Sequence, residues 1–374
     1  MRVSFQMLPE QPVPELMDAI AAADGLGYYA CYSADEIYHK DAWLLFAAAA
    51  QRTERIRLGP CVAPIYMREP TYVAQLAATL DELSDGRAEV VFGIGNIAML
   101  EQYGVEWRGT RPIARLREAH QVMRTVLDEG AIDFDGDFYR YTGVTTASHP
   151  VQEHLPLKIG AMGGPRSMEL AGEIADGLHT ACAYSPEALG YAVEHFQAGV
   201  ERAGRNRDGL DLGDSVLGAI APDGDVARRA GRILAAFYIP SMPLALLARH
   251  GIELEGVAAV TEAFAAGDVQ RALEATPEEV ADRIMVAGTS GSQLFSALGR
   301  PGNPLEQARA RGTEGSLDFR RRPRPGLGSS IDGSRDDVRG LGTFAVREER
   351  DGLDSRSGVL ASHGCSSEYC RSQG

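Results

Sequence analysis

The residues with a pattern able to do chemistry gather in a few places. Gly160-Ala161-Met162-Gly163-Gly164-Pro165-Arg166 joins an apolar segment to a helix-like one. A glycine-rich turn exposes backbone N–H groups, and a helix N-terminus adds positive potential, which suits a phosphate. Arg166 could add a charged fork. The same residues also make an ordinary tight turn, and that reading stays open. Gly93-Ile94-Gly95-Asn96 is no dinucleotide fingerprint, because Met99 and Leu100 follow where another glycine is needed. The five cysteines form no CxxC pair and the eight histidines no HExxH, so no metal site is expected. Asp35 and Glu36 are adjacent carboxylates able to hold or pass a proton, whereas Gln6 and Asn96 carry amides that can only hydrogen-bond.

The elements that position these groups alternate. Strand-like segments cover residues 3–7, 28–33, 56–62, 88–95, 157–161, 178–183 and 215–221. Helix-like ones lie between them. Pro14 opens the first, Leu16, Ile20 and Ala23 recur at helical spacing, and Gly25 ends it. Residues 88–95 are almost wholly apolar, as a parallel strand buried on both faces requires. Residues 133–141 read as an extended excursion turning at Gly136, and 228–286 as helical. Repeated strand-then-helix order means a doubly wound sheet or a barrel. Tyr28, Tyr29, Tyr32 and His179 read as core; His39 and His250 have no partner identifiable from sequence.

The formal net charge of −15 argues against nucleic-acid binding, which needs clustered Lys and Arg. No apolar run approaches the ~20 residues of a membrane span. The start Met1-Arg2-Val3-Ser4-Phe5 leads directly into a strand, so no signal peptide is expected, and unpaired cysteines suit a reducing cytoplasm.

Several segments resemble the luciferase-like monooxygenase superfamily. They are Arg68-Glu69-Pro70, the run from Thr79-Leu80-Asp81-Glu82-Leu83 through Ser84-Asp85-Gly86-Arg87, Gly93-Ile94-Gly95, Arg115-Leu116-Arg117-Glu118, and Ala171-Gly172-Glu173-Ile174-Ala175-Asp176-Gly177. Within it the chain is similar to the 5,10-methylenetetrahydromethanopterin reductases, through Leu58-Gly59-Pro60, Gly104-Val105-Glu106-Trp107, Phe237, Arg249-His250-Gly251 and Val286-Ala287-Gly288-Thr289. The resemblance implies an α/β fold, a TIM-type eight-stranded (β/α) barrel, usually dimeric. It also implies an oxidoreductase that binds coenzyme F-420 and passes hydride to a small organic or pterin-bound one-carbon substrate. An FMN-dependent monooxygenase and an inactive cofactor-binding relative are the alternatives.

Barrel sites lie at the carboxyl ends of the strands. By resemblance, Cys61 and Val62 back the coenzyme ring through a cis peptide, where relatives have a glycine first; as a bare residue Cys61 is a small buried side chain. Gly95, Gly160, Ala161, Met162, Gly163, Gly164 and Arg166 complete the expected cofactor contacts. Asp35, Gln6 and Asn96 are the catalytic candidates, with Asp35, together with Glu36, leading as the charged group, because the reductases carry carboxylates where Gln6 and Asn96 stand here; structural hydrogen bonding near the barrel rim is the other reading of all three.

The likeness covers residues 1–289, the expected barrel domain. Residues 290–374 are rich in Gly, Ser and Arg and include Arg320-Arg321-Arg322-Pro323-Arg324-Pro325. They read as disordered, or as the product of a shifted reading frame in GC-rich coding, since the basic residues are Arg except for Lys40 and Lys158. The eighth strand and helix are then missing or replaced, and the first and seventh barrel strands are expected to keep open edges.

Overall fold

A computed structural model describes residues 2–182, 185–253, 255–288 and 341–347. Its strands are β1 (Arg2–Met7), β2 (Ala30–Ser33), β3 (Arg57–Pro64), β4 (Val90–Gly93), β5 (Ala131–Asp135), β6 (Arg140–Thr145), β7 (Leu157–Ala161), β8 (Gly177–Ala181), β9 (Asp211–Ile220), β10 (Met285–Gly288) and β11 (Leu341–Arg347). Between them run α1 (Val13–Gly25), α2 (Ala42–Ala50), α3 (Pro70–Leu83), α4 (Ile97–Gln102), α5 (Pro112–Glu129), α6 (Pro165–Ile174) and α7 (Pro186–Arg202). After β9 come α8 (Gly224–Tyr238), α9 (Leu244–Arg249), α10 (Glu255–Ala265), α11 (Val269–Ala275) and α12 (Glu278–Ile284). Among the described residues no helix is long and apolar enough to cross a membrane.

β1, β2, β3, β4, β7, β8 and β9 pair in that order, every pair parallel. This is the barrel choice of the two architectures that the sequence allowed. The helices start where sequence sets them: α1, α3, α5, α6 and α7 each have a proline in their first positions, where its missing N–H costs no hydrogen bond. Buried apolar residues of these strands and of the helix faces around them form one main core, with Ile20, Phe46, Leu58, Phe92, Leu116 and Phe196 almost wholly enclosed. The excursion after α5 is a β5–β6 hairpin, held to α5 by Glu118, which accepts from the backbone N–H groups of Asp137 and Phe138 at 2.9 Å.

The eighth position corrects one expectation. β11 lies between β9 and β1 and runs antiparallel to both, with Arg2 opposite Arg347 and Gly213 also opposite Arg347. The edges of β1 and β9 are therefore paired, by a strand from the tail that runs against the other seven. The run Leu341-Gly342-Thr343-Phe344-Ala345-Val346-Arg347 carries β-favouring types, but Gly- and Arg-rich flanks conceal it in a sequence reading. β10, expected as the end of a helical stretch, is a short strand beside β9. The rest of the tail, with the question of its reading frame, lies outside the described residues.

The amino end of the barrel is closed by charge. Glu89, fully buried just before β4, accepts from Lys158 Nζ at 2.9 Å and from Arg57 Nε at 3.0 Å, and also from the Tyr32 hydroxyl. Lys158 reaches Asp211 at 2.8 Å, and Asp211 pairs with Arg2 at 3.3 Å. Burial works against every charge here, but the partners prevail: Glu89 is held below the usual carboxylate range and Lys158 above the usual amine range. These residues open their strands, so the layer is a floor and leaves the carboxyl ends for a site.

Candidate functional site

At the carboxyl end of β3 the chain does something unusual: the Cys61–Val62 peptide is cis. Val62 then packs on β4 and β7, and it fits because both strands present glycine. A Cβ built on Gly160 would come within 2.3 Å of Val62 Cγ1, and one on Gly93 within 3.4 Å of both Val62 methyls. Beside them Gly95 has φ +102°, a conformation that glycine adopts without strain, and a Cβ there would meet Pro64 at 2.7 Å. The ends of β3, β4 and β7 thus form one closely fitted wall. The Cys61 side chain is buried, and burial pushes its thiol up to about 12, with Glu89 adding to the effect. It stays a thiol at neutral pH and is no nucleophile.

Gln6 on β1 contacts this wall. Its Nε2 donates to the Cys61 carbonyl at 3.1 Å, and its Oε1 accepts from Ser215 Oγ at 2.8 Å. Ser215 lies in turn 2.8 Å from His179 Nε2. Ser215 and His179 are buried, and Tyr32 stands edge-on to the His179 ring. Burial, with Lys158 below, depresses His179 to about 4, so the ring is neutral.

The two adjacent carboxylates have different surroundings. Asp35 is almost fully buried and engaged: Arg68 donates to both its oxygens, at 2.9 and 2.6 Å, and Trp43 Nε1 donates at 3.1 Å. That fork ties the loop after β2 to the loop after β3 and to α2. Glu36 is half-buried; burial raises its pKa, a hydrogen bond from the Asn96 side chain opposes the rise, and the Asp35 charge adds to it. The carbonyl end of Asn96 meets the Met99 N–H at 3.4 Å. Tyr38 follows on the same loop and donates to Gln102 Oε1 at 2.5 Å. The rim therefore joins Glu36 and Asn96 and sets Asp35 apart as a bracket.

The glycine-rich turn runs from β7 into α6. Gly164 is the N-cap, no side chain caps it, and Pro165 follows. Arg166 is exposed, with no hydrogen bond or ion pair to the described residues. Gly163 faces Pro243, where a Cβ would come to 3.3 Å; Ala161 and Met162 are half-buried against the two apolar cores. Two histidines acquire partners that sequence could not name: His39 lies 3.8 Å from Glu10, and His250 Nε2 lies 2.7 Å from the Cys182 carbonyl. Among the described residues no group of three His, Cys, Asp or Glu side chains could hold a metal ion. Sequence reasoning did not single out Ser215 or Lys158; a lysine inside the apolar strand of residues 157–161 was an available signal for the second.

Comparison with known proteins identifies the family. Residues 1–295 match the family described as luciferase-like monooxygenase. The chain is 29% identical over 293 residues to the 5,10-methylenetetrahydromethanopterin reductase of Archaeoglobus fulgidus, covering 77% of this chain and 86% of that protein. It is 33% identical over 232 residues to an F-420-dependent glucose-6-phosphate dehydrogenase of Intrasporangium calvum, covering 56% of this chain and 67% of that one. Among solved structures it superposes on the coenzyme F-420-dependent tetrahydromethanopterin reductase of Methanopyrus kandleri with a TM-score of 0.71 and 27% identity, over 79% of this chain and 91% of the other. With the family match spanning the barrel and the fitted wall at its carboxyl end, the chain belongs to the luciferase-like monooxygenase family and is an oxidoreductase.

Proposed function

We propose that this chain is an F-420-dependent oxidoreductase that passes hydride between the reduced deazaflavin and a small organic or pterin-bound one-carbon substrate. The observation that carries the reading is the wall of Val62 on Gly93 and Gly160, flanked by the uncapped N-terminus of α6. The residues present fit such a group: a flat ring finds an apolar backstop with no side chain at two of three strand ends, and a phosphate finds the Arg166 backbone N–H at a helix start that no side chain caps, beside the Arg166 guanidinium. The deazaflavin, when bound, supplies the hydride carrier. The chain supplies placement. Cys61, Val62 and Gly95 back the ring, and Gly160, Ala161 and Met162 lead into the turn where Gly163, Gly164 and Arg166 hold the phosphate. Glu36, whose pKa is raised by burial against the hydrogen bond from Asn96, is the carboxylate placed to exchange a proton on the substrate side.

The relatives whose names include F-420 support this coenzyme over FMN. The amides of Gln6 and Asn96 point away from methylenetetrahydromethanopterin as the preferred acceptor, because neither can donate a proton as a carboxylic acid does. Absorbance and fluorescence titration of the purified protein with F-420 and with FMN tests the reading. Saturable F-420 binding, tighter than FMN, supports it. Co-purifying FMN with no saturable F-420 binding overturns it.

A further inference from the structure

We infer that His179, Ser215 and Gln6 form a directed hydrogen-bond relay that holds the Cys61 carbonyl in place behind the coenzyme, so that Gln6 is a positioning residue. The inference rests on the coenzyme reading above, because it needs the Cys61–Val62 wall to be the ring's backstop.

The direction follows from one group that has no choice. The Cys61 carbonyl oxygen can only accept, so the Gln6 atom 3.1 Å from it is the amide nitrogen. That orients the amide and makes Oε1 the atom facing Ser215. Oε1 can only accept as well, so the single Ser215 hydroxyl proton is directed to it across 2.8 Å. Ser215 Oγ, its proton committed, then accepts from His179 Nε2–H at 2.8 Å. Three strands, β8, β9 and β1, thus act in sequence on the end of a fourth, β3. Each member is fixed by the next, and the ring tautomer is fixed by a carbonyl three links away.

The relay gives position 6 a requirement that a carboxylate does not meet. A group here must donate to Cys61 and accept from Ser215 at once. An amide does both. An ionised carboxylate accepts twice and turns lone pairs on the Cys61 oxygen; only its protonated form restores both bonds. The titratable members along the relay are His179 on β8 and Cys61 on β3, and the charges that act on them are Lys158 on β7, Asp211 on β9 and Glu89 before β4, from the floor at the amino end. His179 at about 4 and Cys61 at about 12 both titrate outside about pH 5–9, so any pH dependence that Gln6→Glu adds relative to the parent there belongs to the new carboxyl.

The test measures the F-420 dissociation constant between about pH 5 and 9 for the parent, Gln6→Glu and Gln6→Met, with a melting curve for each. Relative to the parent at each pH, Gln6→Glu is expected to bind about tenfold more weakly at the alkaline end and to recover as the pH falls, while Gln6→Met is weaker by a constant factor. A second pair, Ser215→Ala and Ser215→Thr, asks the same of the middle link: alanine weakens binding, and threonine, which keeps the hydroxyl, restores it. A Gln6→Glu ratio that does not change with pH, or equal binding by the two Ser215 variants, overturns the relay. Failure of the parent itself to bind F-420 overturns the coenzyme reading instead, so the two are separable.

Discussion

Lys158→Met is the sharpest probe of how this barrel separates stability from chemistry. Lys158 is buried between two carboxylates, Glu89 at 2.9 Å and Asp211 at 2.8 Å. Methionine matches its length and apolar stem but removes the charge. Each carboxylate keeps one cation, Arg57 for Glu89 and Arg2 for Asp211, yet both lose their buried partner. Breaking a buried pair from one side costs about 3–5 kcal/mol. A barrel of roughly 290 residues unfolds with an entropy near 0.6 kcal/mol/K, so the melting temperature is expected to fall by about 5–8 °C. Adding Glu89→Gln removes the stranded charge and should return part of that loss. Because the layer is at the amino end, the folded variant is expected to keep the parent's F-420 affinity. Calorimetry of the parent, single and double variants, with an F-420 titration below the transition, reads both quantities. A Lys158→Met barrel that melts within about 1 °C of the parent would refute the reasoning, and so would one that is stable but has lost coenzyme binding.

Three further outcomes are expected. His179 titrates at about 4 in the fold against 6.5 when free; a depressed histidine contributes stability that is complete above the unfolded value and lost as pH falls toward the folded one. His179 therefore contributes roughly 2 kcal/mol of the parent's loss between about pH 7 and 5, beside His120, which burial also lowers to about 4, and His179→Asn should make the slope shallower in urea unfolding; equal slopes would remove His179 from the account. Arg166→Ala is expected to weaken F-420 binding about ten- to hundredfold, the worth of one charge-assisted contact, and an unchanged dissociation constant in a folded variant rules out the phosphate role. Gly160→Ala places a Cβ 2.3 Å from Val62 Cγ1, so it should destabilise by about 1–3 kcal/mol and weaken F-420 binding; an unshifted melting curve would show that the wall is looser than its geometry.

What the sequence reveals and conceals has physical causes. The parallel strands are legible because burial on both faces demands apolar runs, as in residues 88–95. The turn into α6 is legible because Gly163 and Gly164 leave the backbone free to turn and Pro165 fixes φ at a helix start. Pairings across the barrel are not. Asp35 reads as a free acid until Arg68, far along the chain, is seen to take both its oxygens. Glu36 meets Asn96 only because the ends of β2 and β4 are brought together. Ser215 has no pattern of its own; its meaning comes from Gln6 and His179 on other strands. The strand of residues 341–347 is too short to stand out from its flanks, and its pairing with β1 joins opposite ends of the described chain.

The contact between Val62 and Gly160 also constrains how this protein can evolve. Volume at one position is available only if it is given up at the other, and Gly93 shares the same space. Alanine at 160 becomes tolerable once residue 62 is cut back, and a larger aliphatic at 62 leaves glycine as the one fit at 160. A library randomised at both positions should therefore return its functional members along a diagonal, small with large, and almost none where both are large. Such epistasis means that neither residue reaches a different size through neutral single steps. A change in the shape of the wall, and in what it holds, has to arrive as a pair.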